Sequence, residues 1–89
     1  MDGMPVYRIN VLIENKPYIS DPEGDTIRKD LVVKGGYHNV KSIRVAKMLK
    51  VEVEANSAED AKDTVRRMCE DLRLYNPVLS VCKIVESGL

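Results

Sequence analysis

Tryptophan and phenylalanine are both absent from this 89-residue chain. Its core must therefore be aliphatic, with four tyrosines at the edges. An excess of either charge is missing too: 14 Lys and Arg stand against 14 Asp and Glu. That argues against nucleic-acid binding, which needs a local surplus of cations to neutralise phosphates. No apolar run reaches the roughly 18 residues of a membrane-spanning helix. The start, MDGMPVYR, lacks an apolar signal-peptide core, so a cytoplasmic protein is the expectation. Only two cysteines occur, Cys69 and Cys82, far apart and in no CxxC, and two reduced, buried thiols are expected. The one histidine, His38, has no metal-ligating neighbours and reads as an exposed turn residue. No glycine-rich phosphate loop is found. No acid–base pair stands out, and the chain alone reads as a small non-catalytic domain that self-associates.

What is present is patterning. In VYRINVLIE, residues 6–14, Tyr7, Ile9, Val11 and Ile13 share one face and Arg8, Asn10 and Glu14 the other, the mark of a half-buried strand. NKPYISDPEG then breaks the pattern. Asp21 suits an N-cap and Pro22 the first helical position, with Glu23 in the first turn. Ile27 and Leu31 fall on one helical face, and Gly35-Gly36 can close the helix in a left-handed conformation. Gly24 costs up to about 1 kcal/mol inside a helix, which suggests that another backbone comes close. That backbone could belong to another chain or a second copy.

Residues 40–55 alternate around Ile43, Val45, Leu49, Val51 and Val53. Their length predicts two strands split near Ala46–Lys47, or one bent strand. Arg44 and Lys47 flank that expected turn and are the cations without an obvious structural role, although a solvated hairpin would also account for them. Residues 56–77 give the clearest helix. Ser57 and Asp60 resemble a capping box, and Ala61, Val65, Met68 and Leu72 form an apolar stripe beside Cys69. Ion pairs at i,i+4 are expected between Asp63 and Arg67, Arg66 and Glu70, and Arg67 and Asp71. Asn76-Pro77 is expected to end the helix, before a last strand at 78–85.

The order β-α-β-β-α-β predicts an α+β, ferredoxin-like fold: a four-stranded antiparallel sheet with two helices on one face. Its other face would be open to a second copy, with the first strand and Leu49–Val53 as the apolar patch. One domain is expected over 1–89, with tails at 1–5 and 86–89.

These motifs combine into a resemblance. DPEG, a helix ending GGY, then VKSIRVAK, MCEDL and NPV, in that order, resemble the PurS family from about Val6 to Val85. Asp21, Pro22 and Gly24 match its first motif, with Glu23 at a Gln/Glu position. Gly36-Tyr37 match its helix stop, Met68-Cys69-Glu70 its second helix, and Asn76-Pro77-Val78 the segment after it. There are departures. Ala46 replaces a glycine before Lys47, the first helix region is one residue longer, and Gly35 stands where leucine is usual. Ser80-Val81-Cys82 replaces an acidic stretch, so any partner contact made there must differ.

The resemblance implies a PurS-like, non-catalytic small subunit of phosphoribosylformylglycinamidine synthase, in purine biosynthesis. It implies a homodimer, or a tetramer, that bridges a glutaminase and a large ATP-dependent synthetase and assists ammonia transfer. ATP and Mg would sit on the synthetase, with no cofactor on this chain alone. Asp21, Pro22, Gly24, Arg44, Lys47, Asn76 and Pro77 are the candidates for partner contact or ammonia transfer. An ACT-like domain that binds a small metabolite is the alternative. An RNA-binding sheet would need exposed strand aromatics, and only Tyr7 lies in a strand.

Overall fold

The computed structural model describes residues 3–85. Of the expected tails, residues 1–2 and 86–89 lie outside the described residues. The elements are β1 (Val6–Asn15), α1 (Pro22–Ile27), a π-helical turn (Arg28–Val33), β2 (Lys47–Glu54), α2 (Ala58–Asp71) and β3 (Ser80–Val85).

The class is α+β, as the pattern implied. β1 lies in the middle of an antiparallel sheet ordered β2-β1-β3. Val11 stands opposite Leu49 on one side and Ile84 on the other. Period two then sends Ile9 and Val11 to the face that α2 covers. There they meet Ala55, Ala61, Val65 and Cys69 to make the buried core. Tyr7, Ile13, Leu49, Val51, Val53, Met68, Cys82 and Ile84 pack around it, half-buried.

Four expectations need correction. First, the sheet has three strands and not four. Residues 40–46 belong to no helix, strand or turn and lead straight into β2, so no second strand folds back beside it. The single bent strand is nearer to what forms. Second, only α2 packs on the sheet; α1 and the π-helical turn touch no strand. Third, Leu49, Val51 and Val53 face α2 and belong to the core's rim. The uncovered face instead carries ion pairs, Arg8 with Glu52 at 3.8 Å and Lys83 with Glu14 at 2.7 Å. Leu12 and Met48 stand opposite each other on the same face, so it mixes charged and apolar side chains. Fourth, the pairs along α2 form at i,i+3, Lys62 with Glu59 and Arg66 with Asp63, in place of the i,i+4 pairs expected.

Both helical segments close in the same way. At the first, Tyr37 N–H donates to Val32 O and Gly36 N–H to Val33 O, with Gly36 at φ 102°. This is a Schellman closure with glycine in the left-handed place, as expected. A π turn takes up one residue more than an α turn, which accommodates the longer first-helix region. At α2 the left-handed residue is Arg73, φ 49°, and not Asn76. Leu74 N–H reaches Cys69 O and Arg73 N–H reaches Glu70 O. Asn76 instead opens the next turn, its side-chain oxygen accepting from Val78 N–H at 3.0 Å. A side chain in this region costs about 1–2 kcal/mol, partly offset in glycine by its greater chain entropy. Arg73→Gly is therefore expected to stabilise the protein by about 0.5–1 kcal/mol. Thermal unfolding should show this as a rise of a few degrees in Tm.

Candidate functional site

Residues 20–28 and 40–46 form a clasp outside the sheet. Asp21 is its centre and is buried. One carboxylate oxygen accepts Gly24 N–H at 2.9 Å and so caps α1. The other accepts Val45 N–H at 2.6 Å, across 24 residues of sequence. Hydrogen bonds from Gly24 and then Val45 hold the Asp21 carboxyl below its ordinary value of 3.8, against desolvation and with help from the Arg44 charge.

Gly24 is buried beneath the same segment. A Cβ there would lie 2.1 Å from Ile43 O and 2.8 Å from Ile43 C. Another backbone does come close, and it is the chain's own. Arg28 Nε donates to Val40 O at 2.8 Å. Arg44 donates to Ile19 O at 2.8 Å and Lys16 O at 3.2 Å, which pins the loop between β1 and α1. Arg44 thus has a structural role that the sequence did not disclose. Side chains do for residues 40–45 what a neighbouring strand would otherwise do.

Sequence reasoning missed Arg28 as a member. A signal existed: positions 21, 24 and 28 follow i, i+3, i+7 and fall on one helical face. Pro22 begins α1 as expected.

Lys47 and Asn76 come together elsewhere. They line an open hollow of about 530 Å³ with Ile13, Asn15, Val45, Ala46, Leu74, Tyr75 and Ser80. Val45 belongs to both places, its N–H held by Asp21 and its side chain bordering the hollow. The Lys47 ammonium makes no hydrogen bond or ion pair among the described residues. Ser80 Oγ donates to Asn15 Oδ1 at 3.0 Å on the rim. Pro77 stands beside it, in a neighbouring depression with Arg73 and Tyr75. The seven candidates therefore fall into two groups, Asp21, Pro22, Gly24 and Arg44 in the clasp, Lys47, Asn76 and Pro77 around the hollow.

The thiols are free, Cys69 buried and Cys82 half-buried. Burial, and then the neighbouring Cys69, push the Cys82 thiol up to about 11. It stays protonated at neutral pH and is a poor nucleophile. His38 is exposed in a turn, as expected.

Asp21→Asn separates the two arms of the clasp. The amide keeps one acceptor for Gly24 but turns an NH₂ towards Val45 N–H, donor against donor. Exchange of the Val45 amide is expected to quicken by roughly tenfold or more, the cost of one charge-assisted bond. Acid should do the same to the wild type. The folded pKa is depressed, so the clasp is intact above 3.8 and opens as pH falls through the lower folded value. The Val45 amide resonance, followed by NMR, reports both.

Comparison with known proteins agrees with this architecture. The PurS family model, described as phosphoribosylformylglycinamidine (FGAM) synthase, matches residues 8–87. The phosphoribosylformylglycinamidine synthase subunit PurS of Thermotoga maritima is 34% identical over 83 residues, 93% of this chain and 99% of that protein. The Archaeoglobus fulgidus subunit is 38% identical over 76 residues, 85% of this chain and 92% of that one. Among solved structures, the crystal structure of the Thermotoga maritima purS subunit superposes with a TM-score of 0.84 at 32% identity, covering 96% of this chain and 95% of that one. A chain in the structure of PurLQS from Thermotoga maritima gives 0.81 at 31% identity, with 93% and 99% covered.

Proposed function

This chain belongs to the PurS family, and on that premise we propose that it is the small, non-catalytic subunit of a phosphoribosylformylglycinamidine synthase in purine biosynthesis. The observation that carries the reading is near full-length similarity to a chain of the PurLQS assembly. Its partners are a second copy of itself, a glutaminase that frees ammonia from glutamine, and an ATP-dependent synthetase that turns formylglycinamide ribonucleotide into the amidine. ATP and Mg are assigned to the synthetase, and the complex to the cytoplasm.

The physical need for such a subunit lies in the reagent. Ammonia in neutral water is mostly protonated, and ammonium has no lone pair with which to attack. A bridged, water-poor route keeps the nucleophile neutral and close to its target. The chain's part in this is to position its partners. The clasp holds residues 40–46 as an arm, and the Lys47–Asn76 hollow at the arm's base offers a partner a recess of mixed polar and apolar lining. This assigns Asp21, Pro22, Gly24 and Arg44 to shaping a contact surface, and Lys47, Asn76 and Pro77 to meeting it. The ACT-like reading is not favoured, since the family and structural matches point to PurS.

The test is light scattering on size-exclusion fractions of this protein mixed with its organism's glutaminase and synthetase, with glutamine and Mg-ADP present. Glutamine-dependent activity is assayed on the same fractions. A joint peak, with activity lost when this chain is omitted, supports the bridging role. Separate elution with undiminished activity overturns it.

A further inference from the structure

Two thiols on separate elements face one another across the core. In the sheet, Cys82 of β3 stands opposite Ile13 and Ile84 opposite Val11. Residues opposite one another share a face, so Cys82 points to the side that α2 covers. Cys69 is part of that cover, one turn beyond Val65 and only 2% exposed. Helix and strand pack together. Between them lies a cavity of about 120 Å³, and both thiols line it with Val11, Val65, Tyr75 and Ile84. The sulfurs also feel one another: after burial, a hydrogen bond with Cys69 is the next cause of the raised Cys82 thiol.

The two cysteines have different standing in the sequence. Cys69 lies in a stretch that matches the PurS pattern, whereas Cys82 lies in the stretch that departs from it. The positioning role uses neither thiol.

We propose that Cys69 and Cys82 form a redox site, joined as a disulfide when a small disulfide acts as oxidant, and that the bond ties β3 to α2 and locks the 70–81 segment between them. Atoms and electrons balance in two exchanges. Cys82 is the half-exposed thiol and the one a reagent can reach. Its thiolate attacks one sulfur of the small disulfide, and the other sulfur leaves as a thiolate. Cys69, once deprotonated, attacks the Cys82 sulfur of this mixed disulfide and expels the second half of the reagent. Two protein thiols thereby lose two hydrogens and two electrons, and one small disulfide becomes two thiols. The first exchange is slow at neutral pH, because burial and Cys69 push the Cys82 thiol up to about 11. The second is intramolecular and favoured by proximity.

The locked segment has identified parts. It carries the closing turn of α2 and the turn at Asn76, whose carbonyl accepts from Leu79 N–H at 3.0 Å and Ser80 N–H at 2.8 Å. Asn76 and Ser80 also line the hollow beside Lys47. A bond across both ends of the segment removes its open forms from the unfolded and locally unfolded states. A recess with one wall already fixed then loses less freedom when a partner docks. This consequence for docking rests on the PurS reading; the bond and the lock stand without it.

The experiment treats reduced wild-type protein with oxidised mercaptoethanol over a range of pH. Intact and peptide mass spectrometry read the linkage. A monomer lighter by two hydrogens, with the peptides of Cys69 and Cys82 joined, is expected. Its rate should still climb with pH above the ordinary thiol value of 9.0. The linked form should unfold on the order of 10 °C higher. Its Leu79 and Ser80 amides should exchange several-fold more slowly. Cys82→Ser should show none of these gains. The linked wild type, reduced again with dithiothreitol, should return to its starting Tm and serves as a control that needs no substitution. Persistent mixed disulfides, links only between chains, or thiols untouched at every pH overturn the site. A link that leaves Leu79 and Ser80 exchange unchanged overturns the lock. Both forms, freed of reagent, are then mixed with glutaminase and synthetase, and the linked form should assemble several-fold more tightly. Equal assembly overturns the coupling to docking and leaves the PurS reading standing. Assembly by neither form counts against that reading and leaves the disulfide standing.

Discussion

Gly24→Val is expected to spring the clasp open and weaken assembly with the partner subunits by about tenfold or more, a free-energy change of at least ~1.4 kcal/mol. The added Cβ would overlap Ile43 O at 2.1 Å and Arg44 Cα at 3.1 Å. Those are backbone atoms, so no side-chain rotation relieves them. Overpacking of this kind commonly costs about 1–3 kcal/mol. Here the strain has a local outlet, because α1 shares no contact with the sheet. Residues 43–45 can leave Asp21 while β1, β2, β3 and α2 stay packed. Circular dichroism and the main thermal transition should change little, while co-elution with the partners falls. Global unfolding of the variant would remove the case for a separable contact surface.

The double change Arg44→Ala, Lys47→Ala should lower glutamine-dependent synthesis on the order of tenfold and spare synthesis from added ammonium. Arg44 loses two charge-assisted bonds to the carbonyls of Ile19 and Lys16, each worth about 1.5–3 kcal/mol when well made and less at an exposed site. Lys47 loses an ammonium that serves nothing within the described chain. If the subunit only positions its partners, the synthetase's own chemistry with ammonium is untouched. Equal loss of both activities would contradict a role confined to bridging or ammonia transfer. Lys47→Ala alone gives the cleaner reading of the hollow, since it leaves the 16–19 loop pinned.

Local chemistry was legible where one short stretch decides the outcome. Asp21 caps α1, Pro22 starts it, Gly36 closes the first helical segment, and Ser57 accepts from Asp60 N–H. Each depends on neighbours within four residues. The expected face of β1 also holds, as does that of α2 through Ala61, Val65 and Met68, because a period of two or 3.6 survives any tertiary arrangement, whereas Leu72 falls outside α2 and is 66% exposed. The C-terminus of α2 was harder to read. Asn is the better left-handed residue by propensity, yet Arg73 takes the place, because α2 ends at Asp71 and its closing bonds run from Arg73 and Leu74, three residues before Asn76. The fold class and the PurS resemblance were likewise within reach, since both rest on the order of motifs along the chain.

The sequence by itself determined which residues could cap, close and alternate, and through their order it determined the family. Only the tertiary structure decided what residues 40–46 do. Their alternation fits a strand equally well whether it pairs, hangs free or is held by side chains. The choice was made by Asp21, Gly24 and Arg28, twelve to twenty-four residues away. Loop pinning by Arg44, across 25 and 28 residues, is of the same kind. Periodicity records which way a side chain points and says nothing about which backbone will stand opposite it, and that is why the clasp became visible only in three dimensions.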